Sequence, residues 1–323
     1  MKQILLILAS LLFARDTSAN KIDSLKTDID VLQFIGQQFK ESYKIDYYTF
    51  SFEIPDSIFN WIPCDSTILK WDFKKWEKTD FNQDGQTDLF VTVYTLDTKN
   101  SKASKYSIYV IIDKGKNKFD FQEVPGFFLI NCYAAKPITI NKIPYILYRH
   151  FHTEMTVDSL PENIEPKSEN YHYNEVGQTD TLIYKFGGFI ELNHIKANHG
   201  IKSVSFEATS CLGLCPAFQL NLFADGLSFY LVNLSITENE ANYRGKVRQK
   251  ELSEIFSLIN YLNLPSLKEY YSADGTDRPT SRLTVFFSNG QVKSIGDYGQ
   301  QGTLGLVRLY KLLFDLRKNQ TWK

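Results

Sequence analysis

The chain has 323 residues, 43% of them hydrophobic and 23% charged, with a formal net charge of −1. This is the composition of a soluble globular protein with room for two domains, each with its own core. The near-neutral balance gives no support for nucleic acid or an anionic membrane surface as a partner, while an aromatic share of 15% favours strands.

Lys2 precedes an apolar run from Ile4 to Ala14 that is short for a bilayer span, and Thr17-Ser18-Ala19 supplies small residues at cleavage spacing. A signal peptide over 1–19 is therefore predicted, with export to the periplasm, the outer envelope or the medium. No cysteine follows the apolar run to mark a lipid anchor, and no later stretch approaches transmembrane length, so no integral membrane segment is expected after cleavage. In an oxidising compartment cysteines pair by default. Cys64 and Cys132 fall in the first half and Cys211 and Cys215 in the second, so two intradomain disulfides are the simplest of the three arrangements.

A helix is expected from Thr27, where Thr27 and Asp30 form a capping box and Val31, Leu32, Ile35 and Phe39 recur at helical spacing. Strand alternation follows at Tyr48–Phe52, Ile68–Trp76, Leu89–Thr95, Tyr106–Ile112 and Phe127–Cys132. Ile138–Tyr148 reads as a hairpin turning at Asn141-Lys142, with Pro144 pushing its return strand toward a sheet edge. The polar stretch 156–178, with Pro161 and Pro166, is expected as a long exposed loop. Thr181–Leu192 then resumes as a strand pair about Gly187-Gly188, and Asn193–Gly200 is the expected domain boundary. The reading gives a mainly β domain over 20–195 and a second domain over 201–323.

In the second half, Ser203–Ala208 and Ala217–Phe223 are expected strands, and Asp225-Gly226 turns the chain into Leu227–Asn233. Leu252, Ile255, Phe256, Ile259 and Leu262 mark an amphipathic helix ended by Pro265. Leu283–Phe287 and Val292–Ile295 flank a turn at Ser288-Asn289-Gly290, and Thr303 caps a last helix with Leu306, Tyr310 and Leu313 on one face. The expected class is α+β, each domain a mainly antiparallel sheet with one or two packed helices.

Asp80-Phe81-Asn82-Gln83-Asp84-Gly85-Gln86-Thr87-Asp88 places oxygen-bearing side chains at alternate positions, with Gly85 at the sharp turn. Such a loop wraps a hard cation, and Asp80, Asn82, Asp84, Asp88 and the Gln86 carbonyl are the candidate ligands of a structural calcium ion. Val91 stands where an EF-hand has its bidentate Glu, and Leu89–Thr95 alternates as a strand. The run resembles the calcium loops of dockerin modules and of secreted FG-GAP or VCBS repeats. A solvated turn rich in Asx hydrogen bonds is the metal-free reading.

Ser210-Cys211-Leu212-Gly213-Leu214-Cys215-Pro216-Ala217-Phe218, Asp225-Gly226, Thr276-Asp277-Arg278-Pro279-Thr280 and Asp297-Tyr298-Gly299 occur in this order. As a set they resemble a bacterial family of exported domains of unknown function, from about Ile201 to the C-terminus; membership implies no activity. Cys211 and Cys215 have three readings: a structural disulfide, a redox dithiol, or a copper site similar to that of Sco-type chaperones. The last is weakened because Phe218–Phe223 reads as a strand and no His follows His199. Asp274, Asp277, Asp297 and Tyr298 are candidate binding-loop residues, with turn fixation by Asx hydrogen bonds as the alternative. His150, His152 and Glu154 would share one strand face, a solvated edge or a metal face.

Nothing in the sequence resembles a catalytic centre: G-x-S-x-G, H-E-x-x-H and phosphate-loop patterns are absent. The expectation is a non-enzymatic exported module binding a partner protein or ligand. The alternatives are a thiol-redox or copper-handling protein using Cys211 and Cys215, and a hydrolase with dispersed carboxylates.

Overall fold

The computed structural model describes residues 20–53, 70–99, 104–124, 133–157, 171–213, 215–232, 241–273 and 276–323. The architecture is α+β, mostly antiparallel sheet with few helices, as the alternation predicts. The predicted signal peptide, Cys64, Cys132, Asp274 and the expected strand Phe127–Cys132 lie outside the described residues. The chain divides into two compact units, Met1–Ile183 and Tyr184–Lys323.

In the first unit, α1 (Lys21–Ser24) leads into α2 (Asp28–Tyr43), where the predicted box forms. The Thr27 hydroxyl accepts from Asp30 N at 3.2 Å and the Asp30 carboxylate accepts from Thr27 N at 2.8 Å. Val31, Phe34, Ile35 and Phe39 of α2 pack on a sheet of order β1-β3-β4-β5, made of Tyr48–Ser51, Asp88–Asp97, Ser104–Asp113 and Phe119–Val124. The expected strand over Ile68–Trp76 is displaced: β2 spans Trp76–Thr79. β4 runs along one flank of β3, and on the other β1 already pairs with Tyr94–Asp97. That leaves Asp88–Val93 on this flank; β2 pairs with Asp88–Val91, and Thr92 N bonds Lys75 O just before it.

A second sheet has the order β6-β7-β8-β9, spanning Ala134–Ile140, Ile143–Val157, Tyr171–Lys185 and Gly188–Glu191. Asn141 and Lys142 take φ of 51° and 66°, the left-handed pair that a two-residue hairpin turn requires. Pro144 does not make β7 an edge strand, because β7 lies between β6 and β8. It sits opposite Thr139, ahead of the Ile146–Val157 stretch that pairs with β8, so its missing N–H breaks no bond on that side. The expected loop over 156–178 is also narrower. β7 continues to Val157 and β8 starts at Tyr171, since a ladder satisfies backbone groups whatever the polarity of the side chains.

The second unit holds a seven-stranded sheet of order β13-β12-β11-β10-β15-β16-β14. In chain order its strands are β10 (Ile201–Ala208), β11 (Phe218–Phe223), β12 (Leu227–Val232), β13 (Ala241–Lys246), β14 (Tyr270–Ser272), β15 (Thr280–Phe287) and β16 (Val292–Tyr298). One face carries Val204, Phe206, Phe218, Leu220, Leu283, Val285 and Ile295, all buried. Helices α3 (Gln249–Tyr261) and α4 (Leu304–Asn319) bury Leu252, Ile255, Ile259, Leu306 and Leu313, and the α4 ring of Tyr310 stacks on Phe206 at 5.5 Å. The opposite face is solvated and bears Phe223, Phe229, Phe286 and Val292. At the β13 edge, Arg244 and Lys323 exchange backbone hydrogen bonds of 2.8 and 3.0 Å and Gly245 bridges to Trp322. A Cβ on Gly245 would lie 2.9 Å from both Thr321 O and the indole, so glycine lets the tail lie flat. Among the described residues no helix is long and apolar enough to cross a membrane.

Candidate functional site

The second-unit motifs meet at one end of its sheet. The register brings this about: Ala208 pairs with Phe218 and with Ser281, and Thr280 pairs with Tyr298. The segments that leave these four strand ends must therefore lie side by side. Asp297, fully buried, accepts from Gln301 N at 2.7 Å and Gly302 N at 3.0 Å. A Cβ on Gly302 would stand 2.7 Å from that carboxylate, so glycine is needed for the loop to close on it. Tyr298 accepts from Arg278 N at 3.1 Å, and Gly299 N donates to Pro279 O at 2.8 Å. Gly299 has φ of 78°, and a Cβ there would meet Ala273 at 2.6 Å. Burial pushes the Asp297 carboxyl above its ordinary range, against the pull of its two backbone donors. Burial likewise raises the phenol of its neighbour Tyr310, with the Asp297 charge adding to the effect.

Cys211 and Cys215 form a disulfide-distance pair with Cα atoms 5.5 Å apart. Gly213 between them has φ of 143°, the conformation the tight loop demands. The loop is tied down by Leu212 N donating to Asp277 O at 3.3 Å, while Thr209 N donates to Thr280 O and Thr280 N to the Thr209 hydroxyl. The side chain of Leu212 is 83% exposed at its tip. A shallow cleft of about 130 Å³ lies beside the loop, lined by Glu207, Thr209, Ser210, Ala217, Gln219 and Leu231 among others. Neither Asp277 nor Asp297 lines it.

Glu191, which has no counterpart among the motifs, and the predicted cap Thr303 complete this end. Glu191, ending β9, accepts from Leu304 N at 2.5 Å and Gly305 N at 2.9 Å, and Thr303 accepts from Leu306 N. The first turn of α4 is thus capped from more than 100 residues upstream. Thr303 carried a local signal; Glu191 carried none, since its partner is set by the fold. Gly302 was legible only as a second glycine after Asp-Tyr-Gly.

In the first unit the Asp80–Asp88 loop folds on itself. Asp80 accepts from Asp84 N and Gly85 N at 3.1 and 2.8 Å, Asn82 accepts from Asp84 N, and Asp84 accepts from Gln86 N. The Asn82 amide also donates to Asp84 at 2.8 Å. Gln83 and Gly85 have positive φ, which lets three oxygen-bearing side chains crowd at the tip. Asp88 is fully buried, accepting from Phe81 N at 2.8 Å and Asp113 N at 2.9 Å. Burial pushes its carboxyl up to about 7; the two backbone donors oppose this, and the charges of Asp80 and Asp84 add to it. An all-oxygen set of acids and amides fits a hard cation such as calcium. Among the described residues, no three His, Cys, Asp or Glu side chains group as a metal site.

His150 bonds Asp180 at 2.8 Å and stacks on Tyr148, while the side chains of His152 and Glu154 lie outside the described residues. His199 bonds Asn263 at 3.0 Å.

Residues 202–317 match the model of a family described as Domain of unknown function (DUF6438). The span is less than half of the chain and contains the cysteine loop and both Asp-bearing loops, but not Glu191. No curated protein matches the chain.

Proposed function

We propose that the chain is a non-enzymatic exported module that binds a partner or ligand in the cell envelope. The observation that supports this most is what the motif residues do. Asp297 is spent on two backbone donors, Tyr298 on a third, and Cys211 and Cys215 on each other. A hydrolase needs a carboxylate facing substrate and a redox protein needs an available thiolate. Here the same groups brace three loops at the end of a sheet, as a rigid scaffold for presentation requires. Export rests on the predicted leader, and the sulfur pair is in keeping with it.

Calcium belongs to the same proposal. Asp80, Asn82, Asp84 and the Gln86 carbonyl would hold it at the loop tip while Asp88 anchors the base, and the ion would supply rigidity by offsetting the repulsion among the acids.

Thiol chemistry tests the reading. The purified, oxidised protein is expected to resist alkylation at Cys211 and Cys215 and not to accelerate the reduction of insulin disulfides by a dithiol above its uncatalysed rate. Rapid exchange with a thiolate of depressed pKa would replace the scaffold reading with the redox one.

A further inference from the structure

We propose that the solvated face of the C-terminal sheet binds an acidic polysaccharide laid across its strands; this rests on the binding-module reading and names its ligand class. Phe223, Phe229 and Phe286 are 39, 42 and 40% exposed on that face. Register places them in one band. Ser203 of β10 pairs with Phe286 of β15 on one side and with Phe223 of β11 on the other. Phe223 and Phe229 then meet edge to face at 6.1 Å. Phe286 and Phe223 are thus two strand spacings apart, roughly 10 Å, a span suited to every second sugar of an extended chain. The residue between them is a serine, which leaves the rings standing proud. Alongside runs a strip of hydroxyl and amide groups, Ser294, Thr284, Ser205 and Asn221, cross-paired in that order. The Thr284 and Ser294 hydroxyls are 2.6 Å apart.

Charge settles the class of sugar. Lys202, Arg244 and Lys246 are exposed around the band, and none forms an ion pair among the described residues. The Arg244 guanidinium is held 6.0 Å from the Phe229 ring centre. Of the acids beside the band, Glu207 is already paired with Arg282 at 3.2 Å and Asp225, in the turn after Phe223, accepts from Leu227 N, so three cations face one unpaired carboxylate. Although the whole chain carries −1, this patch is locally cationic. A band of rings spread over several strands suits a polymer gripped by repeated weak contacts better than a small molecule. Hydroxyls interleaved with rings suit sugar faces and edges, and a single-stranded nucleic acid, the other polyanion such a patch would attract, is separated from it by experiment.

Affinity electrophoresis and calorimetry with polygalacturonate test this, with a neutral β-glucan and a single-stranded oligonucleotide as comparators. The full chain is expected to bind polygalacturonate in preference to both, more weakly as salt rises. Phe223→Ala with Phe286→Ala is expected to weaken binding by about tenfold, and Arg244→Gln with Lys202→Gln to remove most of the salt dependence. Arg244→Gln with Lys202→Gln should leave melting unchanged, while the phenylalanine pair, 39 and 40% exposed, should lower it yet keep a cooperative transition above the temperature of the binding assay. Failure to bind polygalacturonate, tighter binding of the oligonucleotide, or binding indifferent to the phenylalanines would overturn the proposal. An envelope ligand whose binding survives loss of the two rings refutes this surface while sparing the module reading. Thiol-exchange activity refutes the module reading whatever the glycan result.

Discussion

Replacing Cys211 and Cys215 together by serine removes a cross-link between residues four apart in sequence. In the chain-entropy treatment, so short a loop restrains the unfolded chain by roughly 2 kcal/mol. For a unit the size of Tyr184–Lys323, each kcal/mol moves the melting temperature by roughly 3–4 °C. The double variant should therefore melt about 7 °C below the oxidised protein. Treating the wild type with a reductant should shift the transition of this unit by the same amount, since both routes open the same loop. Differential scanning calorimetry on the full chain reads it, with alkylation and mass spectrometry to count the thiols. In the serine variant the reductant should leave the transition of this unit in place and move only what the expected Cys64–Cys132 pair contributes to the first unit. If reductant and substitution both shift wild-type melting by less than about 1 °C, the pair is not bonded in the folded protein, and the scaffold reading loses its staple.

Asp297→Ala leaves the N–H groups of Gln301 and Gly302 without their acceptor and should cost about 2–4 kcal/mol in urea unfolding. The same residue sets a pH dependence. Its folded pKa is raised, so its contribution to stability is complete below the unfolded carboxylate range and is lost as pH rises through the folded value. Asp297→Asn should flatten that part of the stability-against-pH curve, and an unchanged curve would deny the burial effect. Asp84→Ala should lower the melting temperature in calcium and abolish the difference made by a chelator; if chelation never shifts wild-type melting, the loop is only a turn. Glu191→Ala uncovers the first turn of α4 and should cost about 1–2 kcal/mol. The denaturant midpoint of the full chain reads it.

Much of the fold could be read locally because local rules decided it. Thr27 with Asp30, Asn141-Lys142, Asp225-Gly226 and Thr303 each sit where the chain needs a cap or a left-handed turn, and that need is written in residue type. What escaped was decided by neighbours distant in sequence. β2 is short because β1 already holds Tyr94–Asp97 of the same β3 flank. β14 is a three-residue parallel strand whose pairing exists only once β16 is in place. The site divides in the same way. The Cys, Thr-Asp-x-Pro-Thr and Asp-Tyr-Gly runs stood out as motifs, but their convergence follows from strand order, which spacing does not encode. Glu191 gave no warning, since a glutamate ending a strand becomes a helix cap only through the packing of α4.

The tail that lies along β13 also bears on how the molecule behaves in a crowd. A sheet ends in rows of unsatisfied amides that invite a neighbour to zip on. At one margin Trp322 and Lys323 fill that row over Arg244 and Gly245; at the other, β14 offers only three residues. With both margins so curtailed, the broad aromatic face can stay open to solvent while the sheet gives fibril growth little to start from.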